Sequence, residues 1–150
     1  MLKTIEIFSP IVVGETDKHY KFLTLLSKVA VTVPPVANAR LASAIVYKGD
    51  VVTIGVNRRK THPFQAKYGK NSDSIYLHSE TQAILLALKT LTLKELAKST
   101  LYVCRMKYQD SSKQNFVFGL SKPCIGCQRA IAEFGIRNVI YSTENEYRRL

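Results

Sequence analysis

The chain has 150 residues, enough for one domain with one proper hydrophobic core. Its 22 lysines and arginines face 11 acids, a formal charge of +11 that favours an anionic partner over a merely solvated basic surface. Three cysteines make no disulfide framework, no apolar run approaches membrane-spanning length, and the first residues lack the pattern of a signal peptide, so a reducing cytoplasm and no membrane partner are expected.

In chain order, Met1–Val13 is apolar and β-branched in places and predicts a short strand. Asp17 can cap a helix running to about Thr32, with Phe22, Leu25, Leu26 and Val29 on one face and Pro34-Pro35 beyond its end. Leu41–Tyr47 and Val51–Asn57 predict two strands joined by a tight turn at Gly49-Asp50. A polar stretch from Arg58 to Tyr76 carries Arg58, Arg59, Lys60, His62, Lys67 and Lys70 and predicts a long loop. His78–Leu91 follows as a helix with Ala83, Ile84, Ala87, Leu88 and Leu91 as its apolar stripe. Thr100–Tyr108 is the next strand, and Phe116–Leu120 extends the sheet after a polar excursion. Cys124–Phe134 predicts a helix with Pro123 at its start and Gly135 at its end. Ile136–Ser142 is a final strand, and Arg148-Arg149 a frayed tail. The order α-β-β-α-β-α-β implies one α/β domain, its sheet covered by helices and containing at least one parallel pair.

Two short strings carry chemistry: His78-Ser79-Glu80 and Pro123-Cys124-Ile125-Gly126-Cys127. One nitrogen and two sulfur ligands make three-quarters of a tetrahedral zinc site, and the fourth position is left for water. Glu80, two residues from His78, can serve that water as proton acceptor and donor. Cys124 and Cys127, three apart at a helix start, share a face where the helix dipole favours thiolates. A structural zinc would want a fourth protein ligand, but Cys104 stands mid-strand, a place that favours a small buried hydrophobe. A redox Cys-x-x-Cys would leave His78 and Glu80 without a reason.

His-x-Glu followed by Pro-Cys-x-x-Cys resembles the signature of the zinc-dependent cytidine and deoxycytidylate deaminase superfamily, over roughly Leu41 to Thr143. The stretch between Glu80 and Pro123 is longer than is usual there, and the extra residues are placed in Lys107–Gln114. The resemblance implies a three-layer α/β/α fold with a mixed central sheet, Zn2+ held by His78, Cys124 and Cys127, and Glu80 as the proton carrier. It implies hydrolysis of an amino group from a nucleobase with release of ammonia, most simply on a free pyrimidine nucleotide such as dCMP. A base within RNA or single-stranded DNA is the alternative that the charge motivates, and a non-catalytic binding module is a third that the intact Glu80 opposes. It further implies that the Ser79 backbone amide holds a pyrimidine carbonyl and that Asn57 sits near the sugar and base, although a strand-ending asparagine also suits a turn. The family more often has alanine where this chain has Ser79. Arg58 and Arg59, just past Asn57, could reach a 5′-phosphate or a nucleic-acid backbone. Tyr68, Tyr76 and Tyr108 are candidates for stacking on a base. Relatives commonly assemble, so a homo-oligomer is expected.

Overall fold

Asp17 starts the first helix by chemistry that the sequence announces. Its carboxylate accepts the amides of His19 and Tyr20, opening α1 (Lys18–Ala30). The computed structural model describes residues 17–69 and 76–150; the strand expected in Met1–Val13 lies outside the described residues, as does Lys70. The buried face of α1 is rotated from the expected one. Phe22 and Leu26 are buried as predicted, but Leu25 is 41% exposed and Leu23 and Ala30 point inward instead. The helix ends at Ala30, ahead of the prolines, because Thr32 and Val33 tighten the last turn by bonding back three residues to Val29 and Ala30.

Strands β1 (Arg40–Tyr47) and β2 (Asp50–Val56) pair antiparallel. The turn is centred one residue earlier than expected, on Lys48-Gly49, with φ of 51° and 81°. Both central residues of a type I′ hairpin need positive φ, and Asp50 is already paired with Tyr47. The expected long loop contains a short helix, α2 (Pro63–Tyr68), whose first turn is capped by His62 Nδ1 accepting the Phe64 amide at 3.0 Å. Helix α3 (Ser79–Ala87) stops four residues before the predicted Leu91, and a Thr92/Glu95 capping box then opens α4 (Leu93–Ala97). Strand β3 (Thr100–Tyr108) matches its prediction; β4 (Phe116–Gly119), α5 (Ile125–Glu133) and β5 (Asn138–Ser142) lie within theirs. Arg148 and Arg149 are not a frayed tail. They belong to β6 (Tyr147–Arg149), which pairs antiparallel with β5, and the Tyr147 hydroxyl donates to Asp17 at 2.5 Å.

The sheet runs β2-β1-β3-β5-β6, with β4 also paired to β3. It is mixed, with β3 and β5 parallel and the other pairs antiparallel. Strand residues alternate between two cores. Ala42, Ala44, Tyr102, Cys104 and Met106 pack under α1; Ile45, Leu101, Val103, Val139 and Tyr141 pack with residues of α3, α4 and α5. The result is the expected helix–sheet–helix sandwich. β4 continues the edge of β3 just past β5: Val103 pairs with Tyr141, and Arg105 with Gly119. The extra residues between the two motifs therefore form a β-hairpin, closed by the Gln109 amide on the Asn115 carbonyl at 2.8 Å.

Candidate active site

Each half of the motif sits at a helix start, and neither helix begins where the pattern placed it. His78 and Cys124 are the capping residues just before α3 and α5, both with extended backbone. That conformation turns their side chains out of the helical path and towards one another. Cys127 lies one turn into α5, where its amide donates to Cys124 Sγ at 3.5 Å. The His78, Cys124 and Cys127 ligand atoms all lie within 4.8 Å of one another. His78 Nδ1 is 3.6 Å from Cys124 Sγ and 3.2 Å from Cys127 Sγ. Zn–N and Zn–S bonds at tetrahedral angles put ligand atoms roughly 3.5–3.8 Å apart, so the donor set and its spacing suit zinc.

The electrostatics agree. The bond from Cys127, the His78 ring and the Cys127 amide at the helix start hold the Cys124 pKa well down against its burial, while giving that bond and being buried push Cys127 up. The bond to Cys124 pulls the His78 pKa up against its burial. Cys104 is not a fourth ligand. It is fully buried in the core under α1, on the other face of the sheet, and burial pushes its thiol up.

Glu80, in the first turn of α3, is only 4% exposed. Burial raises its pKa, opposed by the charge of His78 and the bond from Ser79. Ser79 Oγ donates to Glu80 Oε1 at 2.9 Å and lies 2.7 Å from Ser43 Oγ of β1. Ser43, Ser79 and Glu80 thus form a buried chain that fixes the carboxyl. The serine, a departure from the alanine of the resembled pattern, contributes its side chain to this chain of bonds. Asn57 is 7% exposed and brackets β1: its Oδ1 accepts the Leu41 amide and its Nδ2 donates to the Ala39 carbonyl, both at 2.9 Å. It still faces a cavity of about 330 Å³ lined also by His78, Glu80, Arg105, Lys122 and Cys124.

Arg58 and Arg59 do not line that cavity. They are exposed along a neighbouring depression with Thr32–Val36, which adjoins the cavity through Val36 and Asn57. Of the three tyrosines considered for stacking, Tyr68 is buried and bonds Glu133, Tyr108 stacks on Phe116, and Tyr76 alone lies at the cavity, 41% exposed.

Two features escaped the sequence. Gln65 of α2 is buried, and its Oε1 accepts the His78 amide at 3.1 Å and the Thr81 hydroxyl. On the other side, the Tyr68 carbonyl lies so close to Gly126 that a Cβ there would approach it to 2.8 Å. Helix α2 therefore wedges between the two halves of the ligand set, and Gly126 is what allows α5 to come near. The second feature is Arg105 with Lys122 in the cavity wall. A glutamine in a polar run and an arginine within a strand carry no local signal.

Residues 16–143 match the model of the cytidine and deoxycytidylate deaminase zinc-binding region. The chain belongs to this family. No curated protein sequence matches it. Among solved structures it is similar to the dCMP deaminase of cyanophage S-TIM5 in apo form (19% identity, TM-score 0.52, covering 87% of this chain and 86% of that one). It resembles the same phage enzyme in complex with dCMP and dUMP (16%, 0.53, 86% and 83%). It also resembles the cytidine deaminase of Burkholderia pseudomallei (16%, 0.57, 88% and 91%). At these identities the likeness is one of fold. The family's zinc is the cofactor that the His78, Cys124 and Cys127 set suits.

Proposed function

We propose that this deaminase-family chain hydrolyses the exocyclic amine of a free pyrimidine nucleotide of the dCMP type, giving the corresponding uracil nucleotide and ammonia. The observation that carries the reading is Glu80, buried and oriented by Ser79, opening on the same cavity as His78 and Cys124. A cavity of about 330 Å³ suits a ligand of mononucleotide size or a little less.

Zinc, when bound by His78, Cys124 and Cys127, supplies Lewis acidity that activates a water nucleophile at neutral pH. Glu80 does the proton work. With Oε1 anchored by Ser79, its other oxygen takes a proton from the attacking water and passes it to the ring nitrogen. A second transfer through Glu80 protonates the amine, which leaves as ammonia while the carbonyl forms. The raised pKa of Glu80 suits a group that must both accept and give a proton. On this reading the Ser79 amide, in the first turn of α3 without an intrahelical acceptor, holds the pyrimidine carbonyl. Asn57 lines the cavity with one Nδ2 hydrogen left after bonding Ala39, and on this reading that hydrogen meets the sugar.

A second reading, a base within RNA or single-stranded DNA, draws on the +11 charge and on Arg58, Arg59 and Lys60 exposed beside the cavity. The proposal includes a reducing cytoplasm, which keeps both ligand thiols available, and assembly of several copies, for which exposed Leu120 and Ile125 near the site offer apolar surface. No described helix is long and apolar enough to cross a membrane. The test is a panel of nucleosides, mononucleotides and short single strands, read by mass spectrometry. Conversion of a cytosine mononucleotide supports the reading; conversion confined to single strands selects the alternative, and conversion of nothing by zinc-loaded protein removes both.

A further inference from the structure

Among the described residues Arg105 is a cation without an ion-pair partner, and it lines a cavity that this reading fills with a nucleotide. It stands on β3 at the alternation that also points Leu101 and Val103 towards α3 and α5, the face carrying the metal ligands. Its side chain lies across Gly119 of β4. A Cβ built on Gly119 would come within 3.2 Å of Arg105 Cδ and 3.3 Å of Cγ, so the glycine clears the path. Among the described residues its buried Nε has no hydrogen-bond partner, and no carboxylate lies within ion-pair distance. Glu144, whose carboxyl is held down first by Lys107 and only last by the Arg105 charge, is already bound by Lys107 at 2.6 Å.

The backbone around this arginine is fixed by serines. The Arg105 amide donates to Ser142 Oγ at 3.1 Å, and that hydroxyl donates to the Gly119 carbonyl at 2.8 Å. Ser121 bonds the Val103 carbonyl at 2.9 Å and accepts the Ser142 amide at 2.8 Å. These bonds hold the wall at the junction of β3, β4 and β5. The same wall carries exposed Lys122 into the cavity lining, two residues before Cys124. A buried guanidinium nitrogen left unpaired costs desolvation that an anion bound at the wall would return.

We propose that Arg105, assisted by Lys122, is the specificity-determining residue of the cavity and binds the phosphate of a mononucleotide substrate. The inference rests on the nucleotide reading above but assigns phosphate to the β3–β4 hairpin wall, not to Arg58 and Arg59, which open on the neighbouring depression. The guanidinium supplies a bidentate, charge-assisted clamp and the ammonium a second positive charge.

The test compares zinc-loaded wild type with Arg105→Met, Arg105→Lys and Gly119→Ala. Calorimetry measures binding of dCMP, deoxycytidine, inorganic phosphate and a short single strand, and turnover is followed in parallel. Wild type is expected to prefer dCMP over deoxycytidine, and Arg105→Met to shrink that preference about ten- to a hundredfold, the worth of one charge-assisted bond or pair. Arg105→Lys should restore part of the preference, and Gly119→Ala, which displaces the side chain, should fall between. If Arg105→Met does not fold with a full zinc complement, the other two variants decide. A preference absent in wild type, or held within about twofold in the variants, overturns the proposal. So does Arg105-dependent binding of the single strand tighter than that of dCMP, which would make the phosphate a phosphodiester. Arg105-dependent phosphate binding without turnover of any cytosine compound leaves the subsite standing and removes the substrate reading. Turnover of dCMP with an unchanged preference does the reverse.

Discussion

Replacing Gln65 by methionine, a side chain of similar length without the acceptor, separates metal-site organisation from global stability. Gln65 Oε1 takes two bonds, from the His78 amide and the Thr81 hydroxyl. Thr81 keeps a second acceptor, the His78 carbonyl at 3.1 Å, so only the His78 amide is orphaned. One buried unsatisfied donor costs about 1–3 kcal/mol. Against this, Gln65 Nε2 is itself buried with no partner among the described residues, and methionine removes that orphan. The two terms nearly cancel, and unfolding free energy should change by less than about 1.5 kcal/mol. Zinc affinity should not escape. The bond to Gln65 sets the backbone of a ligand residue, and losing such support costs about 10–100-fold in metal affinity. Urea unfolding gives the first number and competition with a chromophoric chelator the second. Unchanged zinc affinity, or a fall in it no greater than the stability loss explains, would refute the claim that α2 organises the site.

Three other sites test the account at different levels. Ser79→Ala removes the donor to Glu80 Oε1 and should lower kcat about tenfold with zinc content and KM little changed, because one bond of about 1–1.5 kcal/mol orients the proton carrier; an unaltered kcat would discard that role. Gly55→Ala would drive a Cβ to 2.4 Å from the Ser79 carbonyl and 2.5 Å from the Ala83 amide, so α3 must shift, at about 1–3 kcal/mol or more in denaturant unfolding. His19 is half-buried between Tyr102 and Tyr147, with Nδ1 2.6 Å from the Tyr102 hydroxyl; burial lowers its pKa, against the pull of Asp17 and with that of Lys18 and Arg149. A depressed folded pKa means the unfolded chain protonates first on acidification. His19 therefore contributes stability above its ordinary pKa, lost as pH falls through the lowered one, and His19→Gln should lose less stability than wild type between about pH 7 and about pH 5.

The ligand triad and Glu80 were legible because each half of the motif is local: residue types two or three apart at a helix start. The sheet was legible for a similar reason, since the β-branched and apolar runs of β1, β2, β3 and β5 are strong signals. What failed depended on partners distant in sequence. Leu25 lost its place to Leu23 because the angle at which α1 meets the sheet is set by Tyr102, Cys104 and the other residues beneath it. Arg148 and Arg149 look like a charged tail until β5 presents an edge to pair with. Helix α2 was hidden in a polar run because its stability comes from Gln65 on His78 and Tyr68 on Glu133. Arg105 points into the cavity only because Gly119, fourteen residues on, leaves room.

The central claim is that Glu80 carries protons for a hydrolytic deamination at a metal site it does not itself build. Glu80→Gln keeps the shape and the Ser79 contact while removing the exchangeable carboxyl proton. Ammonia release from dCMP by wild type and by Glu80→Gln, with zinc content measured on the same samples, is the direct measurement. The account predicts turnover by wild type, a loss of about a hundredfold or more in the variant, and equal zinc in both. A Glu80→Gln protein that releases ammonia at the wild-type rate, or zinc-loaded wild type that releases none, would contradict it.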